Sequence, residues 1–372
     1  MGRSKKSEDT VKGSASNSPT PMETASAEVK NVKRTRTESE SGSEASAGNA
    51  RKRGRRTKAE VEVELEAKRV KLTSVGETRG IGQVLTLGQG DTGQLGLGED
   101  VMEKSRPALV KDIEAAVEVV AGGMHTAVLD NEGQVWTFGC NDEGSLGRAV
   151  AEEEECFVPG QVDIGERVVM LSAGDSHTAA LADSGQVYLW GTFRDSSGAI
   201  GLIESMKIEK FPVKVLANLH ITKIASGSDH LVMLSHDGRI WTMGNSEQGQ
   251  LGRVSEKWAH RGGRRGLMSL LTPEPVRVNF RSQIKAFTDV WAGSYNTVAR
   301  TEENQILVMG LNNYSQLALP VSKGLTFFMP HHSKEMTKIQ WNQVAIGQHH
   351  VIALQEAGQV LDLFNKAHLV LS

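Results

Sequence analysis

One unit, a strand followed by two glycine turns, recurs along this chain and limits it to a repeat architecture. It runs VLTLGQGDTGQLGLG from Val84 and VWTFGCNDEGSLGR from Val135. It returns as VYLWGTFRDSSGAIGL from Val187, IWTMGNSEQGQLGR from Ile240 and ILVMGLNNYSQLAL from Ile306. The closing position falls at Gly96, Gly147, Gly201, Gly252 and Ala318, giving spacings of 51, 54, 51 and 66 residues. A second motif keeps the same phase: AGGMHT at Ala121, AGDSHT at Ala173, SGSDHL at Ser226, AGSYNT at Ala292 and IGQHHV at Ile346. A period of roughly 50 residues, built from short strands and turns, marks a radial β array with about one blade per repeat.

Each repeat carries the signals for four short strands. The segments VLTLG, VWTFG, VYLWG, IWTMG and ILVMG are rich in valine and aromatics, which favour strands, and are expected to form the inner strand. The G-x-L-G that follows places glycines at tight turns and one apolar residue (Leu95, Leu146, Ile200, Leu251, Leu317) into the blade. A linker with Pro107, Pro159, Pro212 or Pro275 comes next, as suits a strand edge that needs no ladder donor. An apolar strand then ends in the small-Gly-x-x-His turn, and a hairpin signal such as Asn131-Glu132-Gly133 or Asp237-Gly238 closes the unit.

Two departures stand out. The fourth repeat is longer by an insertion at Lys257–Leu271, KWAHRGGRRGLMSLL. A long insertion in a regular array maps to a loop on one face, where function concentrates. The sixth repeat starts at Gly358 and then fails, since LDLFNKAHLVLS has no glycine turn. The sequence therefore predicts an all-β propeller over residues 83–372, with five complete four-stranded repeats and a stub.

Composition adds a second region. The net charge of −3 hides +6 on residues 1–72 (17 Lys+Arg, 11 Asp+Glu) and −9 on the rest. Residues 1–60 are too polar to offset their ordering entropy, so a disordered basic tail is expected at 1–72. Its clusters, Lys33, Arg34, Arg36 and Arg51, Lys52, Arg53, Arg55, Arg56, Lys58, read as a nuclear import signal, a phosphate-binding arm, or both. The two cysteines, Cys140 and Cys156, make no disulfide framework, and the expected compartment is reducing. No apolar run approaches the roughly 18 residues of a membrane span, so no membrane partner is expected. No Ser-His-Asp order, phosphate-cradling GxxxxGK[ST] or metal motif is present. The repeated histidines His125 and His177 are 52 residues apart in different blades, which argues against zinc. No cofactor is implied.

Several segments, LTLGQGDTGQLGLGE, AGGMHT, FGCNDEGSLGR, FRDSSGAIGL, GQLGRV and RGGRRGL, closely resemble the regulator of chromosome condensation family. The resemblance covers about Val84 to Val360. That family comprises nucleotide exchange factors for the small GTPase Ran, built as seven-bladed propellers. The resemblance implies catalysed exchange of GDP for GTP on Ran, in the nucleus and at chromatin, by protein contact without covalent chemistry. It also implies partners in the histone pair that carries the nucleosome's acidic surface, in nucleosomal DNA without base specificity, and in a nuclear import receptor. Five repeats and a stub fall two blades short of that ring, so a truncated, incomplete ring is expected. The alternative function is then a chromatin-binding propeller fragment without exchange activity.

Site residues follow from both sources. Four of five repeats place a histidine in the turn (His125, His177, His230, His350), so the histidine itself reads as architecture. Non-repeated charges in that turn are better functional candidates. By resemblance, Asp91, His125, Asp175, Asp229 and one of His349/His350 match Ran-facing residues, with Arg253 beside them. Arg148 holds the same repeat position as Arg253, which argues for a structural role in both. Phe193, Arg194 and Asp195, in FRDSS, fall where the family has a protruding β wedge that presses on Ran near its nucleotide. Arg261, Arg264 and Arg265 match the family's loop against the acidic histone surface, where the arginine fork suits carboxylates.

Overall fold

The structure, a computed structural model, describes residues 80–278, 286–339, 341–355 and 358–362. The basic-tail residues Lys33 to Lys58 and the stub's final segment lie outside these. Every described strand pairing is antiparallel.

The described residues open with a two-stranded sheet, β1 (Leu85–Gln89) with β2 (Glu103–Leu109). Four-stranded sheets follow. The first orders β3 (Ala116–Ala121), β4 (His125–Asp130), β5 (Val135–Gly139) and β6 (Gly160–Val162). The next has β7 (Val168–Ala173), β8 (His177–Ala182), β9 (Val187–Gly191) and β12 (Glu209–Val215). Between its last two strands it carries a separate hairpin, β10 (Phe193–Asp195) with β11 (Gly198–Gly201). Then come β13 (Ile221–Ser226), β14 (His230–Ser235), β15 (Ile240–Gly244) and β16 (Glu274–Pro275). The fourth sheet is β17 (Phe287–Gly293), β18 (Asn296–Thr301), β19 (Ile306–Leu311) and β20 (Thr326–His332). A three-stranded sheet ends the series: β21 (Trp341–Ile346), β22 (Val351–Gln355) and β23 (Val360–Asp362).

Blade strands thus arrive four per repeat, as the sequence predicts, with the β10–β11 hairpin added in the third repeat, and form propeller blades. The blades are offset by half a repeat. One repeat ends in the first two strands of a sheet, and the next repeat supplies the other two. The sequence assigns the inner position to VWTFG and its relatives. The packing corrects this: β3, β7, β13, β17 and β21 touch one another in succession, so the strand before the small-Gly-x-x-His turn is innermost. VWTFG is third, and it is apolar because blades cover it on both faces. The outermost strands β2, β12 and β16 hold Pro107, Pro212 and Pro275, where no ladder partner is lost.

The core lies between blades. Leu129, Val135 and Val168 of neighbouring sheets pack with Ala180 and Trp190. Leu181, Leu189 and Phe193 pack with Ile224, Leu231 and Met243 of the next. The apolar residue of G-x-L-G is buried in every repeat, with Leu95, Leu146, Ile200, Leu251 and Leu317 all at 4% exposure or less. The glycine closing that motif is required by its neighbour. Gly147 has φ +70, and a Cβ there would meet the Trp190 indole at 2.6 Å. Gly147→Ala should therefore cost about 2–4 kcal/mol, from the left-handed backbone and from overpacking. Urea unfolding at neutral pH reads this directly, and an unchanged midpoint would contradict the packing.

The histidine turn is stitched around the axis. Gly123 N–H donates to Gly174 O at 3.2 Å, Asp175 N–H to Ser228 O at 2.8 Å, and Ser228 N–H to Ser294 O at 3.2 Å. The motif glycine is needed because its own histidine lies over it: a Cβ on Gly174 would collide with His177 Cε1. His125 is buried and its Nε2 lies 2.8 Å from Thr178 Oγ1, in the next blade. Thr178 gives its only hydroxyl proton to Ser145 O at 3.0 Å, so His125 Nε2 is the donor. His230 repeats the latch on Thr297 at 2.9 Å, and Thr297 donates to Gln250 O at 2.8 Å. His177 has no such latch, since Leu231 stands where the others have threonine. Its two ring nitrogens lack partners among the described residues. The sequence reading of this histidine as architecture agrees with these contacts.

Candidate partner-binding site

The hairpin β10–β11 leaves the blade surface at Phe193. That side chain is fully buried, and its ring meets His177 at 4.7 Å between centroids, edge on. Beyond it the hairpin is only a few residues long. Two short strands alone do not hold a fixed direction in water. The direction comes from neighbours in the following blade. Arg194 N–H donates to Asp229 Oδ1 at 2.8 Å, and Asn245 Nδ2 donates to Arg194 O at 2.9 Å. Ser196 donates from its N–H (3.0 Å) and its hydroxyl (2.7 Å) to the Glu247 carboxylate. His260 Nδ1 lies 2.7 Å from the same carboxylate. Ser197 N–H donates to Asp195 Oδ1 at 2.8 Å. The Arg194 guanidinium pairs with Glu143 of the preceding blade.

Of the acids expected to face a partner, Asp175 and Asp229 stand together with Arg194 and Asp195. Asp175, Arg194 and Asp195 are all felt electrostatically by Asp229. Burial pushes the Asp229 carboxyl up to about 7, and Asp175 adds to the shift, while the Arg194 N–H opposes it. Asp229 is thus a main-chain anchor for the hairpin. Asp175 is exposed. Asp91 is exposed too and accepts from Gln94 Nε2 at 3.1 Å within its own turn. In the last described turn, His349 packs on the Tyr314 ring at 4.5 Å and His350 is exposed. His350 therefore differs from His125, His177 and His230 at the same repeat position, which are buried.

Four expectations change. Phe193 and the Asp195 side chain, expected in a wedge pressing on a partner, are buried at 0% and 3% exposure as root and support of the hairpin. His125, proposed to face a partner, is 2% exposed, and burial lowers its imidazole to about 4. It serves as an inter-blade latch. Arg253 has a side chain only 5% exposed. It donates to Ser269 O at 3.0 Å, Thr272 O at 3.0 Å and Leu270 O at 3.3 Å. It fastens the fourth-repeat insertion from inside, as Arg148 fastens its own linker by donating to Glu155 O at 2.8 Å.

The insertion is compact. It forms two short helical turns, Glu256–Ala259 and Met268–Leu271, around a tight turn at Gly263–Arg265. Arg264 and Arg265 are exposed, with Arg265 5.9 Å from the Trp258 ring. Arg261 is not free. It pairs with Asp195 of the hairpin, Nε to Oδ2 at 2.9 Å and Nη2 to Oδ1 at 3.0 Å. Asp195, Glu247 and His260 are a set of groups able to hold a metal, with ligand atoms within 4.8 Å. Here the Arg261 cation already occupies Asp195, and Glu247 is engaged by Ser196 and His260.

Residues 83–363 match the RCC1-like domain family. The human Regulator of chromosome condensation is 48% identical over 305 residues, which are 80% of this chain and 71% of that protein. This chain belongs to the regulator of chromosome condensation family. Within the family, Guanine nucleotide exchange factor SRM1 of Saccharomyces cerevisiae is 29% identical over 74% of this chain and 64% of its own length. The crystal structure of Prp20p from Saccharomyces cerevisiae, described with its binding properties to Gsp1p and histones, superposes with a TM-score of 0.66. It is 30% identical and covers 77% of this chain and 66% of that one. Sequence reasoning did not single out Asn245, Glu247, Glu143 or His260. Asn245, Glu247 and Glu143 carry no repeat-breaking signature, and His260 sits in the insertion but is overshadowed there by the arginines; only their approach to the hairpin marks them.

Proposed function

We propose that this chain promotes exchange of GDP for GTP on the small GTPase Ran at chromatin, acting by protein contact. The supporting observation is the β10–β11 hairpin, a rigid projection clamped to the next blade, in a chain 48% identical over 305 residues to the human Regulator of chromosome condensation. A projection of this kind needs no bond making. It prefers nucleotide-free Ran to loaded Ran, and that difference in affinity is the acceleration. Each tenfold gain in release needs about 1.4 kcal/mol of differential binding. Arg194 on the hairpin and the exposed carboxylate of Asp175, both near the Asp229 anchor, offer charge to the nucleotide surroundings. Arg264 and Arg265 offer exposed guanidinium groups to the carboxylates of the nucleosome's acidic histone surface. The basic tail supplies salt-dependent contacts to DNA phosphates and a nuclear import signal.

Replacing Arg194 to Ser197 by glycines tests the reading while sparing the buried Phe193. Release of fluorescent GDP from Ran should fall to the uncatalysed rate, with the melting temperature of the chain within a few degrees of wild type. Undiminished release would sink the assignment.

A further inference from the structure

The arginine nearest the start of the insertion works on the hairpin of the preceding blade. We propose that Arg261 is a positioning residue for the exchange hairpin and belongs functionally to that site. The inference rests on the exchange reading given above and concerns how its hairpin is held.

Three observations carry it. First, the Asp195 side chain is 3% exposed although it lies beside a surface turn. A carboxylate taken out of water needs a cation, and Arg261 is the cation it has, meeting both oxygens at 2.9 and 3.0 Å. Nη2 donates one directed hydrogen bond to Oδ1, and Nε approaches Oδ2 as an ion-pair contact without hydrogen-bond geometry, so the carboxylate is held by one bond and by charge. Asp195 in turn receives the Ser197 N–H at 2.8 Å, so the carboxylate transmits its placement to the hairpin turn. Second, Arg261 adopts φ +47, a left-handed backbone that costs a non-glycine residue energy. Gly262 and Gly263 continue left-handed at φ +71 and +53. The glycines of RGGRRG thus build a sharp reversal that carries Arg261 toward Asp195, while Arg264 and Arg265 face solvent. Third, the insertion is fastened at its other end by Arg253, buried against Ser269 O and Thr272 O. The loop has a fixed base from which Arg261 reaches.

Glu247 and His260 form a second strut. Ser196 donates twice to Glu247, and His260, next to Arg261, meets the same carboxylate. The hairpin turn is therefore held by two side chains of one insertion, each through a carboxylate. Arginine and lysine still separate here, because the planar guanidinium sets its Nη2 bond to Oδ1 and a second nitrogen beside Oδ2 from one fixed plane, whereas an ammonium places a single point charge.

The full chain is tested with R261Q, R261K and D195N. Amide hydrogen exchange over Arg194–Ser197 in the free chain reads hairpin order without any partner. R261Q should speed exchange there at least tenfold, D195N should do the same, and R261K should fall between them and wild type. In GDP release from Ran, R261Q should lower the maximal rate about tenfold while half-saturation stays within about twofold. Wild-type hydrogen exchange in R261Q, or a wild-type maximal rate with weakened half-saturation, would overturn the positioning role. A wild-type chain that releases no GDP would instead sink the exchange reading, and the amide data would still decide whether Arg261 holds the hairpin.

Discussion

At pH 5 the folded chain should be several kcal/mol less stable than at pH 7.5. The cause is the histidine turn. Burial lowers His125 from 6.5 to about 4, and lowers His177 and His230 to about 3. Each imidazole binds its proton less tightly folded than unfolded. Its contribution is therefore whole above about pH 6.5 and is lost as pH falls toward those folded values. At pH 5 the three together forfeit on the order of 6 kcal/mol, at about 1.36 kcal/mol per unit for each group. That is comparable with the whole stability of a typical domain, about 5–15 kcal/mol. Asp229 runs the other way. Its carboxyl is raised from 3.8 to about 7, so it favours the fold at low pH and loses that as pH rises through 7. It offsets roughly one of the three histidines, and D229N removes the offset. Urea titrations at pH 7.5, 6 and 5 measure the slope. The H125Q/H230Q double variant, which keeps a donor for Thr178 and Thr297 but cannot take a proton, should flatten it. An unaltered slope in that variant would refute the latch as the acid-sensitive element.

Phe193→Ala should remove about 3–5 kcal/mol of stability and nearly all exchange activity. The ring is fully buried among Leu181, Leu189, Ile224 and Leu231, and it also covers His177. Truncation leaves a cavity at the root of the hairpin and opens a path for water to an imidazole that lacks hydrogen-bond partners among the described residues. Phe193→Leu fills most of that volume and should recover stability to within about 1.5 kcal/mol of wild type. The two readouts then separate. If Phe193 only roots the hairpin, the leucine variant regains both stability and GDP release. A variant with recovered melting but no release would give the ring itself a part in partner contact.

The period of the chain made the blades legible. G-x-L-G and small-Gly-x-x-His recur because each is packed or stitched to the next blade in the same way, so one reading served every repeat. The same logic marked Arg148 and Arg253 as a matched structural pair. Strand order was less accessible. Apolar content reports burial between blades, and VWTFG is buried without being innermost. The Arg261–Asp195 pair was invisible, because its members lie 66 positions apart and no other repeat has a counterpart. Asp229 shows the same limit. Its non-repeated charge drew notice, while its bond to the Arg194 main chain needed coordinates.

The half-repeat offset between sequence and sheets bears on synthesis. A blade such as β7–β8–β9–β12 takes its inner pair from one repeat and its outer pair from the next. A nascent chain paused at any repeat boundary therefore ends in two strands with an open edge, a ready template for mispairing. Completion of each blade trails translation by half a unit, and the ribosome and its chaperones must shield that edge once for every repeat that emerges.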